Sequence, residues 1–211
     1  MARDDERLLR AGETPIVGGL PDVPGIGTAM RLTPALGTHL RGLADELLVD
    51  DFPGATISRA ERETLATAVS AANDCFFCMD SHAAHATAVM ELAGSTDQVP
   101  LLDAVKLGSS DGYDPKMQAL LHIARTVRGD ARALTADDVA AATAAGASDA
   151  DVQLAVLIAA AFSMYNRIVD GFRAKTPPSV EVYRGRAAEI AEHGYSAPAG
   201  ATAGTASSGR G

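Results

Sequence analysis

The 211-residue chain predicts an all-α fold, and three observations carry the prediction. Apolar residues recur at spacings of three and four along most of its length, Ser and Thr stand where those runs begin, and few segments alternate as strands do. A hydrophobic share of 47% with 21% charged residues fits one buried core and excludes a disordered or fibrous chain. The length suits one main domain with free ends.

Residues 1–32 are expected to form an N-terminal arm. Pro15, Gly18, Gly19, Pro21, Pro24, Gly25 and Gly27 crowd its second half, which favours extended chain over helix. Gly25-Ile26-Gly27 follows no strand and lacks a third glycine at nucleotide-loop spacing, so it reads as a surface turn. After Thr33-Pro34, Leu36, Leu40, Leu43, Leu47 and Leu48 mark the first helix. Ser58-Arg59-Ala60-Glu61 has the form of a capping box and starts a helix through about residue 72, with Leu65, Ala68, Val69 and Ala72 facing inward. Asn73-Asp74 offers an N-cap for a helix over 75–93, which Gly94 stops. Further helices are predicted over 97–107, 115–128, 135–145, 148–172 and 179–192, with Thr135 and Ser148 as N-caps. The helix over 148–172 is apolar nearly all round in its middle and is expected at the centre of the core or in a subunit contact. Its most apolar run, residues 154–162, is far shorter than the roughly 20 residues that span a bilayer, so no membrane partner is expected. Residues 196–211, mostly Ala, Gly, Ser and Thr, are expected to be a disordered tail after a folded domain over 33–195.

A formal net charge of −9 and a pI of about 4.9 argue against a broad phosphate-binding surface, so no nucleic-acid partner is expected. The first ten residues carry charges of both signs and lead into no apolar run, which predicts a cytoplasmic protein without a secretory signal.

The chain's two cysteines stand together as Cys75-Phe76-Phe77-Cys78, with His82 one helical turn later. The loop between them is too small to stabilise the fold by cross-linking, which leaves redox chemistry, metal binding or packing. On the predicted helix one stripe reads Cys75, Cys78, His82, His85 and Val89, and the adjacent one Phe76, Met79, Ala83, Ala86 and Met90. The second is the natural core face, which places thiols and imidazoles at its margin, half sheltered and reachable. A thiolate is the reactive form of cysteine, and two features favour it here: the positive end of the helix dipole and an imidazole one turn away. The dipole favours Cys75 slightly. His82, four residues after Cys78 and seven after Cys75, favours Cys78, which is expected to attack while Cys75 resolves, the reverse of thioredoxin-type order. Cys75, Cys78, His82 and His85 formally supply four zinc ligands, but a single straight helix wraps a tetrahedral ion poorly, so neither metal nor organic cofactor is expected.

The run from Glu61 through Glu63 to Asn73-Asp74-Cys75-Phe76-Phe77-Cys78, followed by Ser81-His82, resembles the core motif of the alkyl hydroperoxidase D-like family. That family belongs to the carboxymuconolactone decarboxylase superfamily, and the similarity is to its peroxidase-related branch. The later run Ala159-Ala160-Ala161-Phe162-Ser163-Met164-Tyr165-Asn166-Arg167-Ile168-Val169-Asp170 resembles that branch's second-half helix. Together the similarity spans roughly residues 20–195, and Glu, CxxC and His in joint register are far more specific than a bare CxxC.

The resemblance implies an alkyl hydroperoxidase D-like helical fold assembled as a homotrimer or homohexamer, and a thiol-dependent hydroperoxide reductase. It assigns Glu63 as relay carboxylate, Cys75 and Cys78 as the redox pair and His82 as proton acceptor, with a hydroperoxide substrate and a lipoyl- or thioredoxin-type dithiol reductant. The meeting of Glu63 and His82 rests on the family fold, since they fall on different predicted helices. One departure stands out: Phe77 occupies the position of a second histidine in well-described members, which implies a simpler relay. Alternatives are a carboxymuconolactone decarboxylase-like enzyme, which needs no CxxC, and a metal-binding or scaffold protein. Glu61 reads as a capping residue, His39, His122 and His193 as structural, and His85 as a surface or core hydrogen-bonding group without catalytic role. Tyr165, Asn166, Arg167 and Asp170 line the site or an interface, or serve internal hydrogen bonds and ion pairs.

Overall fold

Helix α1, Gly27–Met30, comes first among the described residues of the computed structural model, which are 15–177, 179 and 181–197. It interrupts the arm expected to be extended, because Thr28 and Ala29 find a buried seat and Thr28 Oγ1 donates to Val23 O at 2.7 Å. The predicted helices follow as α2 Pro34–Leu48, α3 Arg59–Ala72, α4 Phe76–Leu92, α5 Leu101–Lys106, α6 Pro115–Asp130, α7 Ala136–Ala144, α8 Asp149–Phe172 and α9 Glu181–His193. A single 3-10 turn, Ala131–Ala133, follows α6, and no strand occurs among the described residues.

The start signals act as local chemistry requires. Thr33 caps α2 through the Leu36 amide, and Ser58, Thr135 and Ser148 form full capping boxes with Glu61, Asp138 and Asp151. At two helix starts the difference from expectation has a local cause. The fifth helix begins at Leu101 rather than at residue 97, because Pro100 takes the N-cap and disfavours helical backbone in the residue before it. Helix α4 begins one residue late: Asn73 is instead the C-cap of α3, Asp74 adopts left-handed backbone at φ 56°, and Cys75 takes the N-cap position.

Helix α3 is the hub, packed against α4, α8, α6 and α5, and every residue from Arg62 to Ala71 is buried. Helix α8, expected at the centre of the core or in a subunit contact, buries one face in the core and leaves Leu157 and Met164 exposed on the other. The buried hydroxyls of α3 are hydrogen-bonded. Thr64 Oγ1 donates to Ala60 O at 2.8 Å, Thr67 Oγ1 to Glu63 O at 2.9 Å, and Ser70 Oγ accepts from Asn166 Nδ2 at 3.1 Å. By length and composition α8 could cross a membrane, but just over half of its most apolar window is buried inside the bundle.

The α2–α3 loop is fixed to the start of α8 by Asp151. Its Oδ1 accepts from the amides of Thr56 (2.7 Å) and Ile57 (3.0 Å), and its Oδ2 from Thr56 Oγ1 (2.6 Å) and the Ser148 amide (2.9 Å). These bonds outweigh the burial that would raise the Asp151 pKa, and hold it at about 2. The tail expected from residue 196 falls outside the described residues from 198 on, whereas the Ser196 amide donates to Asp45 Oδ2 at 2.9 Å.

Candidate active site

Two elements bring the sequence-predicted residues together. Helix α3 supplies Glu63; α4, packed along it, supplies Cys78 and His82, with Cys75 at its N-cap. Glu63 is 1% exposed, and its Oε2 lies 2.7 Å from His82 Nδ1, the meeting that the family resemblance implied. Burial alone would raise the Glu63 pKa. The hydrogen bond and charge of His82, with His85 and the Tyr195 hydroxyl, outweigh it and hold the carboxyl below its ordinary range. Glu63 is therefore a carboxylate, and His82 donates to it through Nδ1–H.

The thiols are free of any disulfide and are more deeply placed than expected, with Cys75 at 0% and Cys78 at 2% exposure. The margin of a two-stripe helix would leave them half sheltered, but α4 is covered on more than one side. Val169 and Ala174 pack on the pair, joined by Ile26 from the arm, Phe77 and Phe172. Cys75 keeps its proton: its hydrogen bond with Cys78 is the largest cause raising its pKa, followed by burial, the Cys78 charge and Asp170. No side chain caps the first turn of α4, so its amide dipoles remain aimed at the cysteine end of the helix.

Phe77 packs against α9 and the arm. Its ring meets Tyr183 of α9 edge-on with centroids 5.5 Å apart, and it lies against the backbone of Gly25, where an added Cβ would fall 2.1 Å from the ring. Gly25 also has φ +56°, and its amide donates to Lys175 O at 3.0 Å, tying the arm to the segment after α8.

His85 and one residue that sequence reasoning missed complete the cluster. The Tyr195 hydroxyl donates to Glu63 Oε1 at 2.6 Å and lies 2.9 Å from His85 Nδ1 and 3.3 Å from His82 Nδ1. His85 thus has the core hydrogen-bonding role expected of it, and burial lowers its pKa to about 3, which keeps the ring neutral. Tyr195 carried no signal in the sequence. It stands where the composition turns to tail, 132 residues from Glu63, with no periodicity around it. Phe162 of α8 closes the cluster, its ring edge-on to His82 at 4.5 Å.

Among the described residues, Glu63, His82 and His85 offer ligand atoms all within 4.8 Å of one another, close enough to hold one cation, and the thiols are not in that group. In this structure those atoms are committed to hydrogen bonds with one another and with Tyr195. Of the remaining candidates, Tyr165 donates to Leu40 O, Asn166 joins Ser70 to Asn73, and Arg167 bonds Ser163 O, all internal roles. His122 pairs with Asp138 and His193 with Glu192, both away from the cluster.

The described residues form an alkyl hydroperoxidase D-like helical bundle, in which a buried carboxylate and imidazole are paired and a vicinal thiol pair lies one turn earlier on the helix of the imidazole. Residues 34–126, α2 through most of α6, match the model of the Carboxymuconolactone decarboxylase family. The match takes in Glu63, both cysteines and both histidines and stops short of α8 and Tyr195. Two crystal structures share the fold. One is an uncharacterized peroxidase-related protein from Silicibacter sp. TM1040 (TM-score 0.63, 22% identity, covering 83% of this chain and 94% of that one). The other, described as an alkylhydroperoxidase AhpD core, is an uncharacterized peroxidase-related protein from Ralstonia eutropha JMP134 (TM-score 0.64, 23% identity, 77% and 82% covered). No curated protein matches the chain.

Proposed function

We propose that the chain is a thiol-dependent hydroperoxide reductase in which Glu63, His82, Cys78 and Cys75 act in sequence. The observation that carries this reading is the 2.7 Å Glu63–His82 hydrogen bond on the helix that bears the reduced thiol pair one turn earlier. Glu63 takes the Nδ1 proton of His82 into a hydrogen bond, which leaves Nε2 as the basic nitrogen. Nε2 accepts the Cys78 proton, directly or through one water. The Cys78 thiolate attacks the distal peroxide oxygen; the O–O bond breaks, the alkoxide leaves as alcohol with a proton from the imidazolium, and Cys78 becomes a sulfenic acid. Cys75, still protonated, condenses with it: the S–S bond forms and water leaves. An external dithiol then reduces the disulfide by exchange and is itself oxidised.

The apolar side chains packed on the thiols, Ile26, Phe77, Val169 and Phe172, suit an organic hydroperoxide, and the superfamily resemblance supports assembly as a homotrimer or homohexamer. The Cys78→Ser variant tests the reading. It is expected to lose dithiol-dependent consumption of an alkyl hydroperoxide, by at least about a hundredfold for a removed nucleophile. Full activity in that variant overturns it.

A further inference from the structure

We infer that Tyr195 is a positioning residue that locks both histidines of the cluster in the Nδ1–H tautomer, and so makes Nε2 of His82 the proton-accepting nitrogen. The functional meaning rests on the reading proposed above; the tautomer lock itself does not.

A proton inventory carries the inference. Five polar atoms meet in the cluster: the two Glu63 carboxylate oxygens, which hold no proton, the Tyr195 hydroxyl, which has one to give, and Nδ1 of His82 and of His85. The short 2.6 Å contact directs that proton to Glu63 Oε1. The lone pairs of the phenol oxygen then face His85 Nδ1 at 2.9 Å, and only a protonated Nδ1 makes that contact a hydrogen bond rather than a repulsion. Glu63 Oε2 imposes the same tautomer on His82 at 2.7 Å. Both carboxylate oxygens are thus occupied, and the carboxylate has no freedom to turn away from His82. The charged and titratable groups facing Tyr195 are Glu63 and Arg59 on α3, His82 and His85 on α4, Asp45 on α2 and Arg186 on α9. Burial, with the charge of Glu63, keeps the Tyr195 hydroxyl protonated well above its ordinary range, so it serves as a fixed donor and not as an acid.

The chain end is built to deliver this hydroxyl. Asp45 grips the amides of Tyr195 at 2.6 Å and Ser196 at 2.9 Å, Arg59 binds the carbonyls of Ile190 and Ala191 at the end of α9, and Arg186 reaches Tyr195 O. Gly194 makes the turn between helix and clasp at φ +79°, and a Cβ there would fall 2.8 Å from Asp45 Oδ1. Three helices thereby hold a residue that lies outside all of them.

The test reads the tautomers directly, by 15N NMR of the histidine rings in the full-length reduced protein without substrate. In the native protein both His82 and His85 are expected to show Nδ1–H. In Tyr195→Phe, His85 is expected to leave that tautomer, and His82 to populate Nε2–H measurably. The same variant is expected to move the pH–rate profile of Cys78 alkylation by a small reagent to higher pH and to slow it about tenfold at pH 7, part of the gain that a positioned base provides. Should Tyr195→Phe fail to fold, Asp45→Asn loosens the clasp without entering the cluster and is expected to shift His85 in the same direction. Nε2–H tautomers in the native protein, or unchanged tautomers and alkylation profile in both variants, would overturn the inference. A tautomer shift in a protein that consumes no hydroperoxide sustains the lock and sinks the proposed activity instead.

Discussion

His85 is buried to 5% exposure, donates through Nδ1 to Tyr195, and has a pKa lowered to about 3 by loss of hydration, which the charge of Glu63 only partly offsets against His82 and Arg186. In the unfolded chain the same imidazole titrates near its ordinary value of about 6.5. The unfolded state therefore binds the proton first, and stability rises with pH wherever it does so. The contribution is complete above about pH 6.5 and is lost progressively as pH falls towards about 3, at a slope of about 1.4 kcal/mol per pH unit. Urea melts between pH 7 and pH 4 are expected to show that loss. His85→Asn, whose amide can replace Nδ1–H as donor but cannot titrate, is expected to flatten it. An unchanged slope in the variant would mean that another group governs acid sensitivity. Glu63, held below its ordinary range, acts in the same sense at lower pH: its stabilisation is present above the unfolded carboxyl pKa and lost as pH falls.

Asp151 shows how an element's end can hold more than itself. It completes the capping box of α8 and at the same time accepts three bonds from Thr56 and Ile57, so one buried carboxylate orders both the helix start and the loop that leads into α3. Its pKa of about 2 lies below the unfolded value near 3.9, so the stabilisation is present above about pH 4 and lost as pH falls towards about 2. Asp151→Asn keeps the shape, loses the charge and turns one acceptor into a donor facing backbone amides; a loss of about 2–3 kcal/mol by urea unfolding at pH 7 is expected. A loss below about 0.5 kcal/mol would show that the four bonds are replaceable by water. Features of this kind divide what the sequence disclosed from what it did not. The caps at Ser58, Thr135 and Ser148 were legible because donor and acceptor lie within three residues of each other. The second half of the work of Asp151, a contact 95 residues away, was not. Glu63 and His82 became legible only as parts of a family motif, and Tyr195 stayed hidden because nothing near it in the chain encodes the cluster it completes. The depth of the thiols was missed for a related reason: periodicity tells which face of α4 is apolar, but not that the arm, the end of α8 and α9 cover the other.

At the scale of the molecule, the thiol pair is roofed by segments far apart in sequence. The arm brings Ile26 and Gly25, the end of α8 brings Val169 and Phe172, and α9 sets Tyr183 against Phe77. The arm is fastened by the Gly25–Lys175 backbone bond and by the ion pair of Asp22 with Lys175, whose partners are largely exposed, so the pair adds little stability. Contact between Gly25 and Phe77 makes the two positions a single choice. Gly25→Ala is expected to cost more than about 1 kcal/mol, from a strained positive φ and from the ring that occupies the place of the new methyl group. Phe77→Ala removes the ring and leaves the strain, so the double variant is expected to cost less than the sum of the singles by more than about 0.5 kcal/mol. Additive losses would show that arm and ring do not touch in solution. A histidine at position 77 would bring two ring nitrogens under this roof, each in need of a partner that an apolar seat does not offer. The phenyl ring is a hydrocarbon gasket: where a histidine would bring polar nitrogens, it closes the cysteine end of α4 with apolar surface.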